Sequence, residues 1–95
     1  MTNSKHNDDS LGELLRIHRQ KAGVGLKSAA PAVNVTHGYL SKIENNKKIP
    51  SRGLILRLCD YYKCEENEKE KLLTLSDELL ASSGNLPNDI KEIVQ

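Results

Sequence analysis

Apolar residues recur in this chain at intervals of three and four, the spacing that places side chains on one face of an α-helix. The first such series is Leu11, Leu14, Leu15 and His18. Ser10 and Glu13 have the spacing of a capping box, and Gly23 suits the left-handed conformation that commonly ends a helix. No segment alternates polar and apolar residues as a half-buried strand would. The pattern therefore predicts an all-α fold whose first helix begins after Ser10.

Cap and turn residues divide the middle of the chain into two further short helices. The second helix fits residues 26–33, and Asn34 can adopt the left-handed turn behind it. Thr36 is a good N-cap for a third helix, which Asn46 closes. Two short helices joined by a turn at residues 34–36 are typical of a helix-turn-helix.

Two more helices complete the predicted set. Pro50 and Ser51 form a stop followed by an N-cap. The apolar face of the fourth helix is Leu54, Ile55, Leu58, Cys59 and Tyr62. Glu65, Glu66 and Glu68 favour the start of a fifth helix, because the helix dipole stabilises acids there. The apolar stripe of that helix is Leu72, Leu73, Leu75, Leu79 and Leu80.

This pattern divides the chain into three segments. Residues 1–9 are polar and without periodicity, so we expect a flexible tail. Residues 10–83 are expected to form one five-helix domain. Residues 84–95 are expected to form a short helical extension, which is a candidate dimerisation element. Its apolar positions are Leu86, Ile90, Ile93 and Val94.

Composition excludes several classes of protein. Leu, Ile and Val supply 24 of the 95 residues, enough for a folded core, and no apolar run reaches the roughly 18 residues of a membrane helix. We expect no signal peptide. Cys59 and Cys64 have the spacing of neither a disulfide framework nor a zinc site, so we expect a reduced, cytoplasmic chain without a metal. Because no catalytic set has a recognisable spacing, we expect neither an enzyme nor a bound cofactor.

The formal net charge of +1 conceals an uneven distribution along the chain. Residues 11–52 contain eight basic residues against two acidic ones, whereas residues 53–95 contain five basic against nine acidic. A small domain with one cationic part can present that part to a polyanion. Two solvated helix faces of opposite charge are the alternative interpretation.

The middle of the chain resembles a known family of DNA-binding domains. The residues that carry the resemblance are Gly-Val at 23–24, VNVT at 33–36 and YLSKIENN at 39–46, preceded by LGE and two arginines within 11–19. Together they are similar to the lambda-repressor-like, or XRE-type, helix-turn-helix family over about residues 11–62. The resemblance implies a domain that binds double-stranded DNA through a recognition helix at about 36–45.

The resemblance also implies roles for particular residues. The groove-facing positions of the recognition helix correspond to Thr36, His37, Gly38, Tyr39 and Lys42. The phosphate-contacting positions behind that helix correspond to Asn45, Lys47 and Lys48. Arg19 and Glu44 occupy positions that often form an ion pair between the first and third helices.

The sequence departs from the family pattern in the first two helices. Gly25 and Leu26 stand where relatives usually have Ser-Gln, so phosphate anchoring there must come from backbone amides and Lys27. Pro31 lies inside the second helix and cannot donate a backbone hydrogen bond, so we expect that helix to be kinked or shortened. His18 occupies a usually apolar position, where we expect a hydrogen-bonded packing residue.

The function that follows is a transcriptional regulator, and specifically a repressor that binds a near-palindromic operator as a homodimer. The residues expected to build the dimer are Leu72, Leu75, Leu79, Leu86, Ile90 and Ile93. The alternative is a protein-interaction module or antitoxin-type adaptor that retains the fold, with a toxin or another regulator as its partner. The two functions can coexist in one small regulator.

Overall fold

The computed structural model describes residues 10–83, which form five α-helices and no strand. The helices are α1 (Leu11–Lys21), α2 (Leu26–Ala32), α3 (His37–Glu44), α4 (Arg52–Tyr62) and α5 (Glu66–Ser83). The predicted all-α, five-helix architecture is therefore confirmed for this part of the chain. The predicted tail at 1–9 and the extension at 84–95, with Leu86, Ile90 and Ile93, lie outside the described residues.

Three of the helices begin where the sequence predicts a capping residue. The side-chain oxygens of Ser10, Thr36 and Ser51 each accept a hydrogen bond from the backbone N–H three residues later, at 3.1 Å. Such a bond satisfies one of the N–H groups that a helix leaves without a partner in its first turn. The N-cap residue of α2 is Gly25, so no side chain caps this helix.

The turns between the helices depend on left-handed residues. Gly23, Asn34 and Asn46 have φ angles of 75°, 65° and 62°, as their positions after predicted helices indicated. Lys63 ends α4 with a φ angle of 63°, although lysine is not a residue type that favours this region. The left-handed turn at Lys63 allows the Cys64 backbone N–H to donate to the Cys59 carbonyl at 2.9 Å.

The core lies where α1 packs against α3, α4 and α5, with α2 packed on α3 and α4 on α5. Each helix contributes at least one side chain to it. The buried apolar residues are Leu11, Leu15, Ala29, Ala30, Val33, Leu40, Ile43, Leu54, Ile55, Leu58, Cys59, Tyr62 and Leu72. All five residues predicted for the inner face of α4 are among them.

Backbone contacts fix the start of α1 against the end of α3. A Cβ atom at Gly12 would lie 2.6 Å from the carbonyl oxygens of both Ile43 and Glu44, so only glycine fits this approach without movement. The Gly12 N–H donates to Asn46 Oδ1 at 2.9 Å, and Asn46 Nδ2 donates to Ser10 Oγ at 3.3 Å. These contacts fix the position of the end of α3 along the axis of α1.

Pro31 coincides with the end of α2. The sequence predicts this helix over residues 26–33; it has seven residues and ends at Ala32, one residue after the proline. The Val33 N–H donates to the carbonyls of both Ala29 and Ala30, at 3.2 and 3.1 Å. Pro31 therefore lies in the last turn of a short helix, and it cannot donate the hydrogen bond that a regular helix would give to the Lys27 carbonyl.

The leucines of α5 do not all have the same surroundings. Leu72 is 1% exposed and belongs to the core, whereas Leu75 is half-buried and Leu79 is 39% exposed. The Leu72 side chain is therefore not available to a second subunit, contrary to its assignment to a dimer contact. Ser76, one turn further along α5, is completely buried and donates to the Pro50 carbonyl at 3.0 Å.

None of the helices within residues 10–83 is long and apolar enough to cross a membrane.

Candidate nucleic-acid interface

α2, the turn after it and α3 form one structural unit. The Asn34 N–H donates to the Pro31 carbonyl at 3.0 Å, and the Val35 N–H donates to the Ala30 carbonyl at 2.9 Å. The left-handed φ at Asn34 reverses the chain between the two helices, and Thr36 then caps α3. Arg57 of α4 adds a bond that the sequence did not predict, from its Nε to the Val33 carbonyl at 3.1 Å.

The two faces of α3 differ in burial. Leu40, Ile43 and Glu44 face inward and are buried. The predicted groove-facing residues are all on the exposed side: Thr36, His37, Gly38, Tyr39 and Lys42. A Cβ atom at Gly38 would meet nothing within 4 Å, so packing within the domain does not require glycine there. Tyr39 is 36% exposed, so part of its ring is accessible to a partner.

Polar and basic side chains surround the exposed side of α3. Asn45 ends the helix, and its Nδ2 donates to the Ser41 carbonyl at 2.9 Å. The Lys47 N–H donates to the Lys42 carbonyl at 2.8 Å, which brings the chain back over the end of α3. Lys47 and Lys48 are exposed, as is Lys27 in the first turn of α2. None of the ion pairs within residues 10–83 involves these lysines or Lys42.

Arg19 and Glu44 form a two-point ion pair between α1 and α3. Arg19 Nε donates to one carboxylate oxygen at 2.8 Å and Nη2 to the other at 3.0 Å, while Nη1 donates to the Val24 carbonyl at 3.0 Å. The side chains are only 13% and 4% exposed. The hydrogen bonds to Glu44 raise the pKa of Arg19 above its usual value, against the opposing effect of burial.

Tyr62 lies near this ion pair at the end of α4. Burial raises the pKa of Tyr62, and the negative charge of Glu44 raises it further. Tyr62 is only 6% exposed, and its hydroxyl has no hydrogen-bond partner within the described residues. The hydroxyl is therefore an unsatisfied polar group in the part of the core next to the ion pair.

The other ion pairs lie on the surface. Arg16 pairs with Glu13 within α1, Lys69 with Glu66 at 3.2 Å within α5, and Arg52 with Asp77 at 3.0 Å between α4 and α5. The Arg52 and Asp77 side chains are both more than half exposed, so water screens their attraction. These pairs lie away from the exposed side of α3 and involve none of the lysines around it.

Comparison with protein families identifies the arrangement of α2 and α3. The protein-family model of the helix-turn-helix domain matches residues 10–72, more than half of the chain. The chain belongs to the helix-turn-helix domain family. The match is consistent with the XRE-type resemblance of residues 11–62 and extends it to Leu72 in α5. No curated protein and no solved structure matches the chain.

The helix-turn-helix assignment indicates a DNA-binding regulator, of a family that is typically non-enzymatic. In a helix-turn-helix domain the second helix of the motif, here α3, enters the major groove with its N-terminal residues toward the base edges. The exposed residues Thr36, His37 and Tyr39 belong to this N-terminal turn of α3. The sequence did not reveal the contacts of Gly12 with the carbonyls of α3 or of Arg57 with the Val33 carbonyl, because no local pattern indicates a contact with a distant carbonyl.

Proposed function

We propose that this protein is a cytoplasmic, sequence-specific transcriptional repressor that binds double-stranded DNA as a homodimer. The proposal rests on the exposed side of α3. The side chains on this side do not belong to the core, and unpaired lysines lie around it. A helix-turn-helix with such a face suits the major groove, which admits an α-helix. We favour a repressor because a DNA-binding domain that occupies an operator is by itself enough to block other proteins there.

Three exposed side chains of α3 provide chemistry for reading bases. Lys42 can donate to O6 or N7 of guanine, and His37 can donate to a base acceptor or a phosphate. The Tyr39 ring can contact the methyl group of thymine. Gly38, which lies between His37 and Tyr39, has no side chain and lets the backbone approach the DNA. Of these three side chains, we assign Lys42 to direct base recognition.

The remaining polar residues suit contacts with phosphate. Lys47 and Lys48 follow α3, Asn45 ends it, and Lys27 extends from the start of α2. Such contacts position a protein on the duplex and contribute affinity for every sequence alike. The Arg19–Glu44 pair acts differently, since it is buried: it holds α3 against α1 and removes a negative charge from the vicinity of the DNA phosphates.

A homodimer would make the operator near-palindromic. In a twofold dimer, two recognition helices that enter successive major grooves lie about 34 Å apart. Leu79 is 39% exposed and lines, with the half-buried Leu75 and Ile49, a groove of about 360 Å³ between α5 and the loop after α3. We assign the dimer contact to Leu75 and Leu79 together with Leu86, Ile90 and Ile93 of the C-terminal extension.

Deletion of residues 85–95 tests this assignment. The truncated protein should sediment as a monomer and bind operator DNA more weakly than the full chain, because one half-site alone contributes less binding energy. A matched control is Leu56→Ala, since Leu56 is an exposed leucine of α4 that lies outside this groove. A truncated protein that remains a dimer, with unchanged thermal stability and operator affinity, would exclude a role for the extension.

The second candidate function is a protein-interaction module or antitoxin-type adaptor, with a toxin or another regulator as its partner. Pro31 lies inside α2, Gly25 and Leu26 stand where relatives usually have Ser-Gln, and Gly38 contributes no side chain to the exposed face of α3. These departures favour a fold that is kept without sequence readout. The salt dependence of binding to a random duplex separates the two functions. A DNA-binding regulator loses affinity steeply as salt rises, because lysines displace counterions from phosphate. An adaptor shows little affinity at any salt concentration.

A further inference from the structure

Three side chains with metal-binding atoms meet at the end of the domain formed by α1 and the α4–α5 turn. They are His18 of α1, Cys64 of the turn and Glu68 of the first turn of α5. One ligand atom of each lies within 4.8 Å of the ligand atoms of the other two, and all three residues are half-buried. None of them belongs to α2, α3 or the loop after α3, so the proposed DNA contacts leave this cluster unexplained.

We propose that His18, Cys64 and Glu68 form a zinc site. Imidazole nitrogen, thiolate sulfur and carboxylate oxygen are the three donor types that Zn²⁺ uses in proteins. The sulfur donor disfavours magnesium and calcium, which prefer oxygen ligands alone. A thiolate and a carboxylate together balance the two positive charges of the ion, and water completes a tetrahedral set.

The backbone already holds two of the three ligands in place. The left-handed turn at Lys63 and the bond from the Cys64 N–H to the Cys59 carbonyl fix the position of Cys64. The Glu65 N–H donates to Glu68 Oε1 at 2.9 Å, and this bond lowers the pKa of Glu68, which keeps its carboxylate ionised. A carboxylate oriented by a backbone N–H is the kind of support that metal ligands commonly receive.

The distances require only a small adjustment. Zinc bonds of about 2.0–2.3 Å place the ligand atoms of a tetrahedral site roughly 3.5 Å apart. The ligand atoms lie at most 4.8 Å from one another, so side-chain shifts of about 1 Å would bring them to this spacing. Burial and then the nearby Cys59 together raise the pKa of Cys64 to about 12, so the thiol must release its proton when zinc binds.

Zinc at this position would connect α1 to the α4–α5 turn and to α5. Because the ion binds only where the folded chain assembles its ligands, binding raises the stability of the folded domain. The proposal does not depend on the DNA-binding function, since it would hold equally for an adaptor with the same fold.

Titration of the full 95-residue chain with zinc, in competition with a chromogenic chelator and with a phosphine reductant, tests the site. We expect one zinc ion per chain and a rise of several degrees in the midpoint of thermal unfolding. Cobalt(II), used as a spectroscopic substitute, should give visible bands of a tetrahedral complex and a thiolate charge-transfer band.

Matched variants identify the ligands. His18→Ala, Cys64→Ser and Glu68→Gln should each weaken zinc binding by about tenfold or more, since even the loss of a supporting group commonly has that effect. Glu68→Gln keeps an oxygen that can accept from the Glu65 N–H, so its loss of affinity would not reflect a misfolded helix end. The controls His37→Ala and Glu66→Gln remove a histidine and an acid from outside the cluster and should retain zinc affinity.

Three results would overturn the proposal. The first is a full-length chain that binds no zinc under these conditions. The second is a cobalt complex without the charge-transfer band, because it would lack a thiolate ligand. The third is unchanged zinc affinity in both His18→Ala and Cys64→Ser, which would place the bound ion elsewhere in the chain.

Discussion

Removal of the Glu44 carboxylate should cost the domain much of its stability. Glu44 is 4% exposed and accepts two hydrogen bonds from Arg19, which is 13% exposed. Breaking one side of a buried ion pair costs about 3–5 kcal/mol, against about 0–1 kcal/mol for an exposed pair. Arg19 is the more exposed partner and keeps its bond to the Val24 carbonyl, so we expect Glu44→Ala to lose about 3 kcal/mol, near the lower limit.

Urea unfolding followed by far-ultraviolet circular dichroism measures this loss. The denaturant slope should stay constant while the midpoint falls, which attributes the change to stability alone. At roughly 4–8 °C per kcal/mol, the thermal midpoint should fall by about 12 °C or more. Glu13→Ala is the matched control, since Glu13 pairs with Arg16 on the surface of α1. A loss under about 1 kcal/mol in Glu44→Ala would refute the argument that the pair is desolvated.

Three further changes test the packing of the domain. Gly12→Ala should destabilise the domain by about 2 kcal/mol in the same urea assay, because its Cβ would lie 2.6 Å from two α3 carbonyls. Gly38→Ala has free space around its Cβ and should instead stabilise α3 by about 0.5–1 kcal/mol; equal effects of the two changes would contradict the close approach. Tyr62→Phe should leave stability unchanged or raise it by up to about 1 kcal/mol, since it removes a buried hydroxyl without a partner. A loss of more than about 1 kcal/mol would indicate that the hydroxyl is hydrogen-bonded.

The sequence was sufficient to locate helix starts and turns, because the interactions that determine them are local. Ser10, Thr36 and Ser51 each cap a helix through the N–H only three residues away. Asn34 and Asn46 adopt left-handed conformations for which asparagine has an intrinsic preference. Lys63 adopts the same conformation without such a preference, since the packing of α4 against α5 requires a sharp turn there.

Contacts between distant segments were less predictable. Leu72 and Leu79 are seven residues apart and therefore lie on the same face of α5, yet Leu72 is in the core and Leu79 is 39% exposed. Helical periodicity alone does not separate the two. The zinc site that we propose has no sequence pattern, because spacing rules apply to ligands from neighbouring positions. His18 lies on α1, far along the chain from Cys64 and Glu68, and only the folded structure brings the three together.

Selection of bound sequences from a random pool of duplex DNA tests the central claim most directly. The wild-type chain should enrich a near-palindromic motif with half-sites about one helical turn apart. Lys42→Ala should relax base preference at one position in each half-site, at about 1–3 kcal/mol per lost contact, whereas Lys48→Ala should weaken binding to all sequences alike. A pool without any enriched motif, or a Lys42→Ala motif identical to that of the wild type, would contradict recognition of DNA by α3.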